Sequence, residues 1–178
     1  MTENKLGLIH IYCGDGKGKT TACMGLALRC AGRGNKVLIA QFMKSRDTGE
    51  ILALKNVANI EIMRGKTNDK FTFQMNEDEK AQTLKEHNEL FAKALAKCNK
   101  ENIDLLILDE VIGACNANVF DYKKVVELMK NKPEKMELAI SGRNPKPEFI
   151  ELADYVSEIK LIKHPFTQGI AAREGIEK

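Results

Sequence analysis

Short apolar runs rich in β-branched residues recur along the chain, and segments with the apolar spacing of helices separate most of them. Because such runs are suited to burial on both faces and are joined by helices, they predict an α/β fold. The expected architecture is a mainly parallel sheet of about six strands with helices on both faces. The predicted strands are residues 8–12, 37–42, 59–63, 104–110, 137–141 and 155–162.

Two longer helices follow from the spacing of the apolar residues. The first is predicted from Lys19 to about Ala31, before Gly32 and Gly34, which suit a helix end. The second is predicted to begin near Asn76, a favourable N-cap residue, and to gather its apolar residues on one face. This amphipathic pattern is typical of a crossover helix between parallel strands. Shorter helices are expected at residues 50–55, 122–130 and 148–153.

Length and composition favour a single domain over residues 1–178. The chain has 178 residues, of which 43% are hydrophobic, and this is enough for one core. It contains 28 Lys and Arg against 25 Asp and Glu, and it has no long basic run, so we expect no nucleic-acid partner. No stretch approaches the roughly 20 apolar residues of a membrane span. Five cysteines without a paired spacing indicate reduced thiols, so we expect a cytoplasmic protein that does not bind membranes.

A glycine-rich segment, GDGKGKTT, lies between the first predicted strand and the first predicted helix. In such a loop, unobstructed backbone N–H groups and a helix N-terminus converge on phosphate oxygens. Lys19 supplies a positive charge, and the hydroxyl of Thr20 is the expected magnesium ligand. Cys13 stands where the general motif has glycine, and an ordinary glycine turn with surface lysines is the alternative. The residues predicted to hold a nucleotide triphosphate are Gly14, Asp15, Gly16, Lys17, Gly18, Lys19, Thr20 and Thr21.

Two acidic residues, Asp109 and Glu110, end the apolar run of residues 104–110. The carboxyl ends of parallel strands form the edge at which open α/β sheets bind ligands, so both carboxylates should lie beside the phosphates. Magnesium in phosphate sites takes few carboxylates and keeps several waters, so one acid should hold the ion directly or through water. A pair of solvated surface acids is the alternative. The sequence thus predicts a nucleotide and a metal but no particular reaction.

The ordered set of motifs is much narrower than the glycine loop alone. It comprises GDGKGKTT, GLALRCAGRGNKVLIAQFMK, LDE, SGRNP, ELADYVSEI and KHPFTQGIAAREGIE, spread over residues 7–177. This set resembles the ATP:corrinoid adenosyltransferases of the phosphate-loop type, which act on cob(I)alamin or cob(I)yrinic acid a,c-diamide. The resemblance implies a RecA-like phosphate-loop NTPase architecture. It also implies ATP and a reduced corrinoid as substrates, Mg²⁺, an electron-donating flavoprotein and a homodimer.

By this resemblance, the enzyme transfers the 5'-deoxyadenosyl group of ATP to Co(I) and releases intact triphosphate. ATP would bind with its phosphates reversed relative to other phosphate-loop enzymes, gripped by residues 16–21, with Thr20 and Glu110 on magnesium. Co(I) is already a strong nucleophile, so alignment and stabilisation of the leaving triphosphate, with Lys19 opposite it, would carry the catalysis. Arg29 matches a family position that approaches the nucleotide. Arg143, in the turn after a strand, could donate to a phosphate oxygen.

Phe71 and Phe73 lie two positions apart in a polar segment and could cover a flat apolar corrin ring. In the family, aromatic residues here displace the lower cobalt ligand and ease its reduction, although Phe73 stands where a bulkier Trp can occur. Packing on the core is the alternative for both, and a solvated or turn arginine is the alternative for Arg29 and Arg143. His164 is expected to be structural, not a cobalt ligand. Asp15 would be harmless only if it points away from the phosphates.

Two other functions remain open from the sequence. The first is a phosphate-loop kinase or NTPase, which would cleave a phosphoanhydride. The second is a non-catalytic module that binds nucleotide and corrinoid and sequesters or transfers the adenosylated product. Intact triphosphate as the product would favour adenosyl transfer, and ADP would favour the kinase or NTPase.

Overall fold

Strands and helices alternate along the chain, as the apolar pattern predicts. The computed structural model describes residues 6–44, 48–65, 70 and 72–177. The strands are β1 (Ile9–Cys13), β2 (Val37–Gln41), β3 (Ile60–Arg64), β4 (Leu105–Asp109), β5 (Glu137–Ser141) and β6 (Tyr155–Glu158). The helices are α1 (Lys19–Ala31), α2 (Gly49–Leu54), α3 (Glu77–Glu101), α4 (Val111–Asn116), α5 (Tyr122–Asn131) and α6 (Pro147–Leu152). Short 3-10 helices cover Thr72–Gln74 and Pro165–Gln168.

The strands form one six-stranded sheet in the order β3-β2-β4-β5-β1-β6, and every pairing among the described residues is parallel. All residues of β2 and β4 are buried, because these strands are covered on both faces. The predicted α/β architecture is confirmed. Parallel pairing brings the carboxyl ends of β1, β2, β4 and β5 to one edge of the sheet, which is where the loop and both acids lie.

The side chains of each strand alternate between two hydrophobic clusters. On β2, Leu38 and Ala40 belong to the larger cluster with α3, α4, α5 and α6, whereas Val37 and Ile39 belong to the smaller cluster with α1 and α2. Helices therefore cover both faces. This two-sided burial fixes the ends of the central strands with respect to one another.

The predicted helices agree with the structure apart from their ends. Helix α1 has the predicted bounds, and α3 begins after Asn76, whose side chain accepts from the Glu79 N–H while Glu79 accepts from the Asn76 N–H, both at 2.9 Å. Helix α4 was missed, because it has only six residues and begins one residue after β4 ends. The predicted last strand was too long: β6 ends at Glu158, and the chain then turns towards the glycine loop.

No helix among the described residues combines the length and the apolar character that crossing a membrane requires.

Candidate functional site

The glycine loop lies between the end of β1 and the start of α1, and the chain leaving β6 packs against it. Gly14 and Gly18 have positive φ angles of 98° and 120°. A Cβ atom on Gly14 or Gly16 would lie 2.4 or 2.7 Å from the carbonyl oxygen of Ile159. The N–H of Gly16 donates to that same oxygen at 2.8 Å. Glycine is therefore required at Gly14 by conformation and close packing, at Gly16 by close packing, and at Gly18 by conformation.

Lys19 folds back over the loop at the first residue of α1. Its ammonium donates to the carbonyl oxygen of Gly16 at 2.7 Å, and the residue is only 8% exposed. Burial lowers the pKa of Lys19, and the negative charges of Glu110 and Asp15 partly oppose this shift. Because the Lys19 ammonium is poorly hydrated, it interacts more strongly with an anion bound at the glycine loop than a solvated ammonium would.

Asp109 ends β4, is fully buried and accepts hydrogen bonds from four side chains at the carboxyl edge of the sheet. Its donors are Ser141 Oγ at 2.7 Å, Gln41 Nε2 at 3.0 Å, Thr20 Oγ1 at 3.1 Å and Lys44 Nζ at 3.2 Å. The loop, β2 and β5 thus all converge on this one carboxylate. None of the three partners Gln41, Lys44 and Ser141 was predicted from the sequence, although each follows or ends an apolar strand whose carboxyl end meets that of β4.

Glu110 adopts a left-handed backbone conformation, with φ of 60°, between β4 and α4. Its N–H donates to Ser141 Oγ at 2.9 Å, whereas its carboxylate makes no hydrogen bond to any part of the chain that the structure describes. Burial raises the pKa of Glu110, and Asp109 raises it further, while Lys44, Lys19 and Arg143 act in the opposite direction. The carboxylate therefore lies beside cations and can still take a ligand.

The structure brings Arg143 to this edge, just after β5, as predicted. Arg29 lies ten residues beyond Lys19, about 15 Å along α1. It is exposed and is not among the described residues that line the pocket, so its approach to a nucleotide stays a prediction. Phe73, in the first 3-10 helix, is 82% exposed and also lies outside this lining. Phe71 lies outside the described residues.

A pocket of about 690 Å³ opens above the loop. One side is formed by residues 15–21 with Glu110 and Arg143, and the other by the segment 161–177, which we call the C-terminal wall. Lys17 Nζ donates to Glu177 Oε1 at 3.1 Å, and Asp15 Oδ1 accepts from the Leu161 N–H at 3.1 Å. Asp15 is thus bonded to the wall, although it also lines the pocket.

His164 belongs to the C-terminal wall and caps the second 3-10 helix. Its Nδ1 accepts from the Phe166 N–H at 3.1 Å, which fits the structural role expected from the sequence. Within residues 6–44, 48–65, 70 and 72–177, no group of three or more His, Cys, Asp and Glu side chains is placed to hold a metal ion. A metal here would rely on a few oxygen ligands, phosphate oxygens and water, as magnesium does.

Comparison with known proteins gives consistent results over nearly the whole chain. The family model described as ATP:corrinoid adenosyltransferase BtuR/CobO/CobP matches residues 5–177. A corrinoid adenosyltransferase of Sinorhizobium sp is 33% identical over 99% of this chain and 82% of its own. The corrinoid adenosyltransferase of Escherichia coli K12 is 30% identical over 99% and 88%, and the corrinoid adenosyltransferase CobA of Salmonella typhimurium is 28% identical over the same shares.

Among solved structures, EssC (ATPases 2 and 3) from Geobacillus thermodenitrificans is similar in fold, with a TM-score of 0.50 at 13% identity. The match covers 94% of this chain but only 34% of that chain, so the similarity concerns part of a longer protein and shows the fold alone.

Proposed function

The chain belongs to the ATP:corrinoid adenosyltransferase family BtuR/CobO/CobP, and we propose that its glycine loop clamps the triphosphate of ATP as the leaving group of adenosyl transfer. The family predicted from the motifs is confirmed. The reaction is the transfer of the 5'-deoxyadenosyl group of ATP to the cobalt of a reduced corrinoid. The electron pair of Co(I) forms the cobalt–carbon bond, the bond from C5' to oxygen breaks, and triphosphate leaves with the electron pair of the broken bond.

One observation carries the assignment of the leaving-group site: the cations and the loop face the same pocket. Arg143 lines it together with residues 15–21, which include Lys19 and lead into α1. Triphosphate gains negative charge as it leaves, and fixed cations and helix N–H groups stabilise this charge without reorganisation. In the present conformation the Gly16 N–H is bonded to Ile159, so it must be released if it is to contact a phosphate oxygen.

The residues at the edge of β4 fit a magnesium ion. Thr20 offers a hydroxyl oxygen beside the loop, and Glu110 offers a carboxylate that makes no hydrogen bond within the described chain. Asp109, in contrast, already accepts from four donors. We therefore assign Thr20 and Glu110 as direct ligands and Asp109 as a partner that acts through Thr20 or through water. The ion would bind triphosphate oxygens and offset their charge.

The aromatic pair Phe71 and Phe73 is proposed to cover the corrin ring. The exposure of Phe73 supports this, because 82% of a large apolar side chain in solvent is costly unless a ligand or partner covers it. Phe71 lies outside the described residues, and its role stays a prediction. Arg29 is kept as a nucleotide contact only by family resemblance.

We also propose that an electron-donating flavoprotein reduces the corrinoid and that the enzyme acts as a homodimer in the cytoplasm. These proposals follow from the family and from the cysteine pattern. All five cysteines are free thiols, which supports a reducing compartment. We expect the physiological corrinoid to be cobalamin or one of its cobinamide-like precursors.

The deciding experiment is incubation of the protein with ATP, magnesium and chemically reduced cobalamin. We expect the absorbance of a new cobalt–carbon bond and one intact triphosphate per corrinoid, measured by anion-exchange chromatography. Release of ADP or inorganic phosphate instead would identify a kinase or NTPase. Binding of both substrates without the new absorbance would identify a non-catalytic binding module.

A further inference from the structure

Lys44 lies just beyond β2, and its ammonium contacts two residues of the proposed magnesium site. Lys44 Nζ donates to Thr20 Oγ1 at 2.8 Å and to Asp109 Oδ2 at 3.2 Å. Thr20 in turn donates to Asp109 Oδ1 at 3.1 Å, so each of the three side chains is hydrogen-bonded to the other two. The side chain of Lys44 is 29% exposed, whereas that of Asp109 is fully buried. The cation can therefore reach solvent while its anionic partner cannot.

We propose that Lys44 is the exchangeable counter-cation of the magnesium site, which its ammonium occupies until the metal–nucleotide complex displaces it. The inference rests on the magnesium site proposed above. A fully buried carboxylate needs a compensating charge. Gln41 and Ser141 supply only neutral donors to Asp109, so Lys44 is the cation that contacts it among the described residues.

The hydroxyl of Thr20 makes displacement necessary. Its proton is directed to Asp109, and its oxygen accepts from Lys44. A metal ion binds through an oxygen lone pair and repels an ammonium group at the same oxygen. Metal and Lys44 therefore compete for Thr20.

The surrounding structure allows the ammonium to leave without moving the site. The carbonyl oxygen of Lys44 accepts from Arg64 Nη2 at 3.3 Å, which ties its backbone to the end of β3. The four-carbon side chain of lysine is flexible, so the charge can move while the backbone stays. After the ammonium leaves, Asp109 and Thr20 would keep their positions and could interact with the ion.

The test measures Mn²⁺ binding to the nucleotide-free protein by electron paramagnetic resonance, with Mn²⁺ as the probe for magnesium. Removal of the competing ammonium in Lys44→Met should tighten Mn²⁺ binding about tenfold. The matched control is Lys160→Met, which removes one exposed lysine next to the loop whose partner is Glu158, at 3.5 Å. This control should change the affinity less than twofold. Equal affinities in Lys44→Met and Lys160→Met would overturn the proposal.

Further variants and a melting-temperature measurement distinguish the role of Lys44 from the existence of the magnesium site. Lys44→Gln should show the same gain, which protects the test against misfolding of the Met variant. Mn²⁺ should also raise the melting temperature of Lys44→Met more than that of the wild type. If Thr20→Val loses Mn²⁺ binding while Lys44→Met and wild type bind equally, the magnesium site stands and the role of Lys44 is refuted. If Thr20→Val leaves Mn²⁺ binding unchanged, both assignments fail.

Discussion

The two sides of the pocket are built in different ways. The inner side, which we call the site floor, consists of Gly14, Gly16, Gly18, Lys19, Thr20, Asp109 and Glu110, and its central groups are buried: Lys19 is 8% exposed and Asp109 is 0% exposed. The C-terminal wall exposes large apolar side chains, with Phe166 at 73%. The floor is fixed by parallel strands packed on both faces, whereas the wall is tied to the loop by the ion pair of Lys17 with Glu177 and by the bond from Leu161 to Asp15.

This difference indicates a division of labour. A rigid, poorly hydrated floor suits the part of the reaction in which charge must be stabilised without reorganisation. A wall held by a few exposed polar contacts can adjust as substrates enter, because regions with little buried contact open at low free-energy cost. Substitutions in the floor should therefore alter the chemical step, and substitutions in the wall should alter substrate binding.

The largest effect is expected for Lys19→Ala. Loss of the buried ammonium opposite the triphosphate should lower kcat for adenosyl transfer about 100-fold or more. Lys17→Ala is the matched comparison, because Lys17 is in the same loop but its ammonium pairs with Glu177 of the wall. We expect Lys17→Ala to raise KM for ATP with a much smaller change in kcat, measured by the appearance of the cobalt–carbon absorbance. Similar kcat losses in both variants would remove the distinction between floor and wall.

The next effect tests the contact between the glycine loop and the chain that leads from β6 to the wall. In Gly16→Ala the new Cβ would lie 2.7 Å from the Ile159 carbonyl oxygen and 2.8 Å from that of Lys160. We expect the free energy of unfolding to fall by about 2 kcal/mol, because the backbone atoms can yield only by moving the loop or the end of β6.

Gly25→Ala is the control for the Gly16 substitution, since its Cβ would meet no atom within 4 Å. Gly25 lies in α1, so alanine there should stabilise the protein by up to about 1 kcal/mol. Urea unfolding measures both values. A Gly16→Ala protein as stable as the wild type would show that the contact with Ile159 does not constrain the loop.

Much of the floor was predictable from sequence because its signals are local. The glycine loop, the start of α1 at Lys19 and the acids after β4 all lie where the apolar periodicity places them. The surroundings of Asp109 were not predictable, because Gln41 and Ser141 reach it only through the strand order β2-β4-β5. Sequence periodicity defines strands but does not order them in a sheet.

The position of the C-terminal wall, in contrast, was not predictable from the sequence. Its motif KHPFTQGIAAREGIE helped to indicate the family, yet its sequence contains no periodic pattern that would place it against the loop. Its position depends on contacts such as Leu161 with Asp15, which are distant in sequence. The chain after Glu158 was predicted as strand because Ile159, Leu161 and Ile162 are apolar, but it leaves the sheet to cover the glycines.

A smaller effect is expected for Phe73→Ala, which tests a residue outside both the floor and the wall. If Phe73 covers the corrin ring and assists cobalt reduction, its loss should lower turnover about tenfold when a flavoprotein supplies the electron. Turnover should change little when Co(I) is made chemically, because the floor still stabilises the triphosphate. Both assays use the same cobalt–carbon absorbance. Equal losses in the two assays would remove the redox role.

The smallest effect is expected for Glu177→Gln in the wall. This carboxylate accepts from Lys17 Nζ at 3.1 Å and from Arg173 Nη2 at 2.9 Å, so it partly neutralises cations at the mouth of an anion site. Its removal should lower KM for ATP about twofold and leave kcat unchanged, because the substrate then meets more positive charge but the floor is intact. Glu174→Gln removes a neighbouring charge that does not line the pocket and should leave KM unaltered. A fall in kcat for Glu177→Gln would mean that the wall, like the floor, takes part in stabilising the leaving triphosphate.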